Sequence, residues 1–318
     1  MRSIPKRILI SLITLFLVSI LCFLIFSVIR GDPASISGGI DITNEQLEIL
    51  RDRMGLNKNV LVRYFDWLLN FITGNPGISY SFRGEEISAL IAQRLPVTAA
   101  LALISIIFIL IISFTVSLLT VKKEGNITDN IVNFLNAAGI STPGFFMGLL
   151  FIIIFGFTFK FFIPGEFIEF QDDPLGFFKS LCFPALAVAV PNSAVLIKFL
   201  RSSLFAELKS DYVKAARCKG AGRLYILFHH VLKNACLPAV TILGMIIAEV
   251  FSGSIIIEQV FSIPGIGRLL IAAISSRDYP LIQVLMVYIA FIVITANMLA
   301  DITVMIIDPR IKQSRKIR

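Results

Sequence analysis

Side chains that carry chemistry are scarce in this 318-residue chain, which holds two histidines, four cysteines and one tryptophan. Cys22, Cys182, Cys218 and Cys236 form neither a disulfide framework nor a metal-ligand cluster. His229 and His230 are neighbours, so on a helix they point to different sides and lack the spacing of three or four residues that a metal pair needs. No Ser/His/Asp arrangement presents itself. A phosphate-binding loop ending in Gly-Lys-Ser or Gly-Lys-Thr is also missing. Gly220-Ala221-Gly222-Arg223 has neither a preceding strand nor that ending, so the chain is not expected to hydrolyse ATP. No catalytic residue, cofactor or metal is therefore expected. Charge is scarce as well: 16% of residues are charged against 56% hydrophobic, and mean hydropathy is +0.85. That balance excludes an ordinary soluble domain and implies an integral membrane protein. The net charge of +8 would suggest nucleic acid in a soluble chain. Here the basic residues gather just outside the apolar runs, so orientation in the membrane explains them and no nucleic-acid partner is expected.

What is present is a series of apolar runs. The first, Ile8 to Ile29, follows Arg2, Lys6 and Arg7, and is too long and lacks the cleavage pattern for a signal peptide. Five more are placed at about Val97 to Val121, Ile131 to Phe159, Leu181 to Leu200, Leu237 to Ser262 and Leu281 to Ile307, each near the roughly 20 residues that cross the hydrocarbon. Lys122 and Lys123, the basic loop after the fourth run, and Arg310, Lys312, Arg315, Lys316 and Arg318 of the tail all mark the cytoplasmic side. Glu166, Glu169, Asp172 and Asp173 suit the outside. The expectation is an all-α integral membrane protein with six transmembrane helices and both ends inside. Its divisions are a first span in 1–30, an extracytoplasmic insertion in 31–96, a five-helix core in 97–307 with a cytoplasmic loop at 201–236, and a cytoplasmic tail in 308–318.

Inside the insertion, Thr43 and Gln46 resemble a capping box ahead of Leu47, Leu50 and Met54, ending at Gly55. Val60 to Ile72 then reads as an amphipathic helix presenting Leu61, Tyr64, Phe65, Leu68 and Phe71, stopped by Gly74-Asn75-Pro76-Gly77. Both are too short and too charged to span, so a small folded extracytoplasmic domain is expected. Pro143-Gly144 in the third run, and Pro184 and Pro191 in the fourth, predict kinks. Gly144 and Gly148 carry a weak close-packing signal. Glu249 is the most unusual residue: it falls mid-way along the fifth run with no basic companion, where a charged side chain costs about 2.5 to 3.5 kcal/mol on insertion scales. Gly244, Ala248 and Ser252 form a stripe of small residues beside it. It either faces a translocation pathway, where it meets a cationic group of the substrate, or is a protonated or paired structural residue. Lys198 and Asp301 lie near the ends of their runs and read as interface anchors.

The longest polar interval of the C-terminal half is Ser210 to Pro238. Ser210 or Asp211 caps a first short helix, and Gly220 and Gly222 suit its left-handed stop. A second helix begins near Arg223 with Leu224, Leu227, Phe228, Val231 and Leu232 on one face, and Leu237-Pro238 closes the interval. Helix, elbow and helix make a rigid knob suited to docking. Ala215, Ala216, Gly220, Leu237 and Pro238 resemble the Ala-Ala, Gly and Leu-Pro positions of the "EAA" loop in permease subunits of bacterial ABC importers. Lys214 stands where the family has Glu, which is similar to the peptide and nickel branch. The resemblance continues densely through His230, Asn234-Ala235, Gly253, Glu258, Phe261, Pro264-Gly265-Ile266-Gly267-Arg268, Ala273-Ile274, Arg277-Asp278-Tyr279-Pro280, Asp301 and Asp308-Pro309-Arg310. It continues more thinly in Gly31-Asp32-Pro33, Gly55-Leu56, Gly77 and Ser79.

The resemblance implies a type I importer permease of the bacterial cytoplasmic membrane, taking up di- or oligopeptides or nickel. It implies a heterodimer with a second homologous permease, two ATP-binding subunits and an extracytoplasmic substrate-binding protein. Asp211, Lys214, Ala215, Ala216, Lys219, Gly220, Leu237 and Pro238 would form the surface that couples to the ATPase. The alternative is a self-sufficient secondary transporter or channel, whose marks would be a relay of intramembrane ionisable groups or an inverted repeat. Neither is evident.

Overall fold

The computed structural model describes residues 3–28, 43, 45, 48–49, 59–121 and 126–307. The Thr43 capping box with Leu47, Leu50 and Met54, the Gly31-Asp32-Pro33 and Gly55-Leu56 pieces, Lys122-Lys123 and the tail from Asp308 therefore lie wholly or largely outside the described residues. Helices α1 (Ser3–Val28), α2 (Val60–Ile72), α3 (Ile87–Thr120), α4 (Ile127–Ser141), α5 (Gly144–Thr158), α6 (Pro174–Leu208), α7 (Asp211–Cys218), α8 (Arg223–Val260), α9 (Ile266–Ser275) and α10 (Tyr279–Ile307) make up the fold, and no strand occurs among the described residues. Within α1, α3, α6, α8 and α10 are stretches long and apolar enough to cross a membrane, and α4 with α5 adds a sixth if the bent pair is one span. Leu9, Leu12, Leu17 and Leu21 point away from the protein on α1. An apolar exterior of that kind suits contact with hydrocarbon.

Local chemistry sets most boundaries. Asn59 and Asp173 accept backbone N–H groups of Leu61 and Leu175 at 3.0 Å, capping α2 and α6, and Pro174 opens α6 where its missing N–H costs nothing. Gly74 ends the α2 turn at φ +84°. The third expected run is broken rather than kinked: α4 and α5 meet at 106°. A residue before proline avoids the helical region, and Thr142 accordingly is extended (φ −96°, ψ 118°), with its hydroxyl donating to Ala138 O at 2.7 Å. Pro184 and Pro191, by contrast, sit within one continuous α6. The second run starts at Ile87, ahead of the expected Val97, because Pro96 is accommodated inside α3.

The chain divides into two compact units. The first draws on Met1–Val97 and Pro264–Ile294. Its core packs Ile87, Leu90 and Ile91 of α3 against Leu269, Leu270 and Ala273 of α9 and Leu281, Val284 and Leu285 of α10. Asp278, 1% exposed, ties this unit together: its carboxylate accepts from the Ser79 hydroxyl (2.5 Å), from Ser81 N (3.0 Å) and Oγ (2.8 Å), and from Leu281 N (3.3 Å). Two stretches 199 residues apart thereby share one buried anchor. In α2, Tyr64 is buried and Trp67, Leu68 and Phe71 are half-buried, whereas Leu61 and Phe65 face outward. The expected apolar face is thus divided, because α2 docks through Tyr64.

The second unit draws on Thr98–Ile263 and the residues from Thr295. Helix α6 lies at its centre against α4, α5 and α8, and its buried Ala185, Ala187, Ala189 and Ala194 allow close approach. A Cβ at Gly139 would stand 2.9 Å from Ala194 Cβ, and one at Gly148 would stand 3.0 Å from the Phe261 ring. Gly144 instead faces the backbone of Ala187, so the two glycines of the spacing serve different neighbours.

Candidate functional site

The polar interval is built as two helices, with one correction to its far end. Helix α7 follows α6 after Lys209 and Ser210. Ser210 takes the N-cap position, but its hydroxyl turns back to donate to Glu207 O at 2.5 Å and caps nothing. Asp211 lies in the first turn, where the helix dipole favours an anion. Its ion pair with Lys214 (2.9 Å) is almost fully exposed and contributes little. Gly220 closes the turn at φ +81°, as its sequence position suggests. Gly222 differs: it is extended at φ −63° and occupies the N-cap position of α8. Leu237 and Pro238 do not terminate a helix, for α8 runs unbroken from Arg223 to Val260.

The first part of α8 contains a π-helical stretch, Leu227–Val231, whose hydrogen bonds skip five residues. This widened turn moves the buried face. Ile226, Leu227 and Val231 go inside while Leu224 and Phe228, expected there, are exposed. Tyr225 stacks on His229 with ring centroids 4.3 Å apart and meets His230 edge-on at 5.7 Å.

Tyr212 connects the helices. Its hydroxyl donates to Glu207 Oε2 at 2.5 Å, at the end of α6, and accepts from Asn234 Nδ2 at 3.2 Å, on α8. Partial burial first, and then the bond to the Glu207 carboxylate, hold the phenol above its ordinary pKa, which keeps it protonated and able to donate. Val213, fully buried, fixes the inner side of α7. On the outer side Asp211, Lys214, Ala215, Lys219 and Gly220 are exposed and Ala216 is half-buried. Leu237 is half-buried and Pro238 is exposed on α8.

Further along α8, Glu249 is exposed, in line with Thr241, Met245, Ser252 and Ile256. Among the described residues no side chain hydrogen-bonds or pairs with its carboxylate. The small-residue stripe divides: Gly244 and Ala248 are buried, and Ser252 is on the outward face with Glu249. Eight residues are more than two turns, so Ser252 rotates away from Gly244.

The pairings in two buried polar groupings of the second unit were not foreseen from sequence, although Glu258 was named among the residues of the resemblance. The Arg201 guanidinium on α6 pairs with Asp129 and donates to Asn133 Oδ1 (2.8 Å), both on α4, and lies 5.5 Å over the Phe205 ring. Glu258, fully buried, accepts from the Thr98 hydroxyl at 2.6 Å. Asp129 and Asn133 one turn apart were the available sequence signal for the first grouping. Lys198 and Asp301 are exposed.

Residues 114–313 match the family described as binding-protein-dependent transport system inner membrane component, and residues 1–102 match the N-terminal part of such components. The chain is 34% identical over 310 residues to the oligopeptide transport system permease protein AppB of Bacillus subtilis (strain 168), covering 96% of this chain and 98% of that protein. It is 33% identical over 312 residues to the dipeptide transport system permease protein DppB of Lactococcus lactis subsp. cremoris (strain MG1363), with 98% and 99% covered. A putative peptide transport system permease protein of Brucella abortus (strain 2308) is 33% identical over 307 residues, with 96% and 98% covered.

Proposed function

The chain belongs to the family of binding-protein-dependent transport system inner membrane components, and from that premise we propose how this peptide-importer permease is coupled and oriented. It is a multi-pass inner membrane protein and a permease subunit of an ABC importer for peptides. The relatives' names favour peptides over nickel as cargo. A self-sufficient transporter is set aside by the family.

In the proposed assembly the chain pairs with a second homologous permease, docks two ATP-binding subunits on the cytoplasmic face and receives substrate from an extracytoplasmic binding protein. It binds no nucleotide itself. The surface that meets the ATPase is α7 and the elbow after it, with Asp211, Lys214, Ala215, Ala216, Lys219 and Gly220. Leu237 and Pro238 belong to the shaft behind it. The observation that carries this reading is the Tyr212 junction, which joins α7 to the end of α6 and to α8. A push on α7 is thereby delivered to two spans together, which suits a rigid-body switch between inward-facing and outward-facing states. Purification tests it. ATP-binding and permease partners should co-purify with the chain, and uptake in liposomes should need them; uptake by this chain alone would overturn the reading.

Glu249 is proposed to line the pathway, since a carboxylate with no side-chain partner among the described residues, on an outward face of a span, suits water or substrate better than lipid. Glu249→Gln should lower peptide uptake while the complex still assembles and hydrolyses ATP. Loss of the complex from the membrane would mark a structural residue instead.

A further inference from the structure

Helix α2 was expected in an extracytoplasmic domain, yet it packs along the apolar part of α1. Tyr64 and Ser19 share a hydrogen bond of 2.8 Å between hydroxyls. The Tyr64 ring meets Phe16 and Phe23 edge-on at 6.2 and 5.4 Å, and Trp67 lies 5.9 Å from Phe23. Ser19 precedes the end of α1 at Val28 by nine residues, about 14 Å along the axis. The 26 residues of α1 extend about 39 Å against a hydrocarbon core of about 30 Å. Even with α1 centred and protruding equally at both ends, Ser19 lies about 9 Å beneath the face of the core nearer Val28. Tyr64 is held at that depth. Phe71, farther along α2, packs with Phe26 against the core of the first unit, so α2 rises beside α1 with its first residues deepest.

One of the two outward faces of α2 suits such a location. Leu61, Phe65, Leu69 and Ile72, spaced by four, four and three residues, form a stripe and are 67%, 59%, 64% and 72% exposed. Water would oppose so large an apolar stripe. Ser19 and Tyr64 satisfy each other and the Arg63 guanidinium lies 5.9 Å over the Phe23 ring, while Asn59, Asp66 and Asn70 are exposed on a separate polar face of α2 that is turned away from the apolar stripe. We propose that α2 is a re-entrant helix immersed in the leaflet beside α1, with Leu61, Phe65, Leu69 and Ile72 against lipid acyl chains. The inference rests on α1 being a span and not on its direction. Under the orientation proposed above the leaflet is the outer one, and α2 anchors the segment that follows it to the membrane.

Trp67, the chain's single tryptophan, reports the depth of α2 directly. In the assembled importer in lipid bilayers, the emission difference between wild type and Trp67→Phe isolates it from partner tryptophans. Lipids brominated at mid-chain should remove most of that emission, and aqueous acrylamide should remove little. The double variant Leu61→Asp, Leu69→Asp should reverse the pattern and shift the emission to the red, while Asn70→Asp on the other side leaves it unchanged. Quenching by acrylamide in the wild type would place α2 in water and overturn the inference. Protection from both quenchers would also overturn it, since a second permease or the binding protein would then cover the stripe. A reversed orientation of α1 would leave the bromolipid result intact, so the two readings fail separately.

Discussion

Arg201 and Asp129 show what a single buried pair does at the residue scale. Their side chains are 5% and 12% exposed, and Asp129 stands in the first turn of α4, where the helix dipole adds to the attraction of the guanidinium. Removing one partner from such a pair strands the other charge, at a cost of about 3 to 5 kcal/mol, whereas replacing both with apolar residues is often neutral. Arg201→Met is therefore expected to lower the thermal stability and yield of the purified complex sharply, and Arg201→Met with Asp129→Leu to restore most of both. Equal losses in the single and double variants would show that the pair itself does not carry the α4–α6 contact. Asp129 and Asn133 one turn apart were its only trace in the sequence, because Arg201 is 72 residues from Asp129 and each charge alone reads as an ordinary helix-end residue. Glu249 was visible for the opposite reason: a carboxylate mid-way along an apolar run stands out without knowledge of any partner. Asp278 falls between these cases, since its stretch and that of Ser79 were both noted, but nothing in either indicates that they meet.

At the scale of elements, legibility followed the locality of the cause. The extents of α2 and α7 and the left-handed stop at Gly220 depend on neighbouring residues and were readable. The π turn at Leu227–Val231 and the passage of α8 through Pro238 depend on what the helix packs against, and were not. The break between α4 and α5 lies between: Pro143 announced a disturbance, but only the extended Thr142 and the close contact of Gly139 with Ala194 give its size. For α7 these facts make a specific prediction. Gly220 has open space about its Cα, so substitution there acts through backbone conformation, and a β-branched residue is strained at φ +81°. Ala216 is half-buried, and a larger side chain would hold a docked partner away, overpacking costing about 1 to 3 kcal/mol. Gly220→Val and Ala216→Trp are both expected to abolish uptake and weaken ATPase association, with the permease still in the membrane. Normal transport with ATPase bound in both would exclude α7 as the coupling element.

At the scale of the whole molecule, the alternation of apolar helices and charged connections supports the proposed orientation. Arg2, Lys6 and Arg7 lie before or within the first turns of α1, a basic interval joins α6 to α8, and Lys312, Arg315, Lys316 and Arg318 follow α10, while acidic residues gather in the connection between α5 and α6. Short connections rich in Lys and Arg are retained in the cytoplasm. In the proposed orientation α1 starts inside, α3 returns, the bent pair α4–α5 counts as one crossing, and α6, α8 and α10 alternate to leave both ends inside. The bent pair is the decisive step, because its helices of 15 residues each reach only about 22 Å, short of a core of about 30 Å, so neither crosses alone. Cysteines introduced at Glu48 and Asp173 are accordingly expected to react with an impermeant reagent added outside, and those at Lys219 and Lys316 only after the membrane is opened. Labelling of Lys219→Cys from outside would invert the orientation. Labelling of Asp173→Cys and Lys316→Cys from the same side would show that the helices after Asp173 do not cross an odd number of times, and would remove the cytoplasmic placement on which coupling through α7 depends.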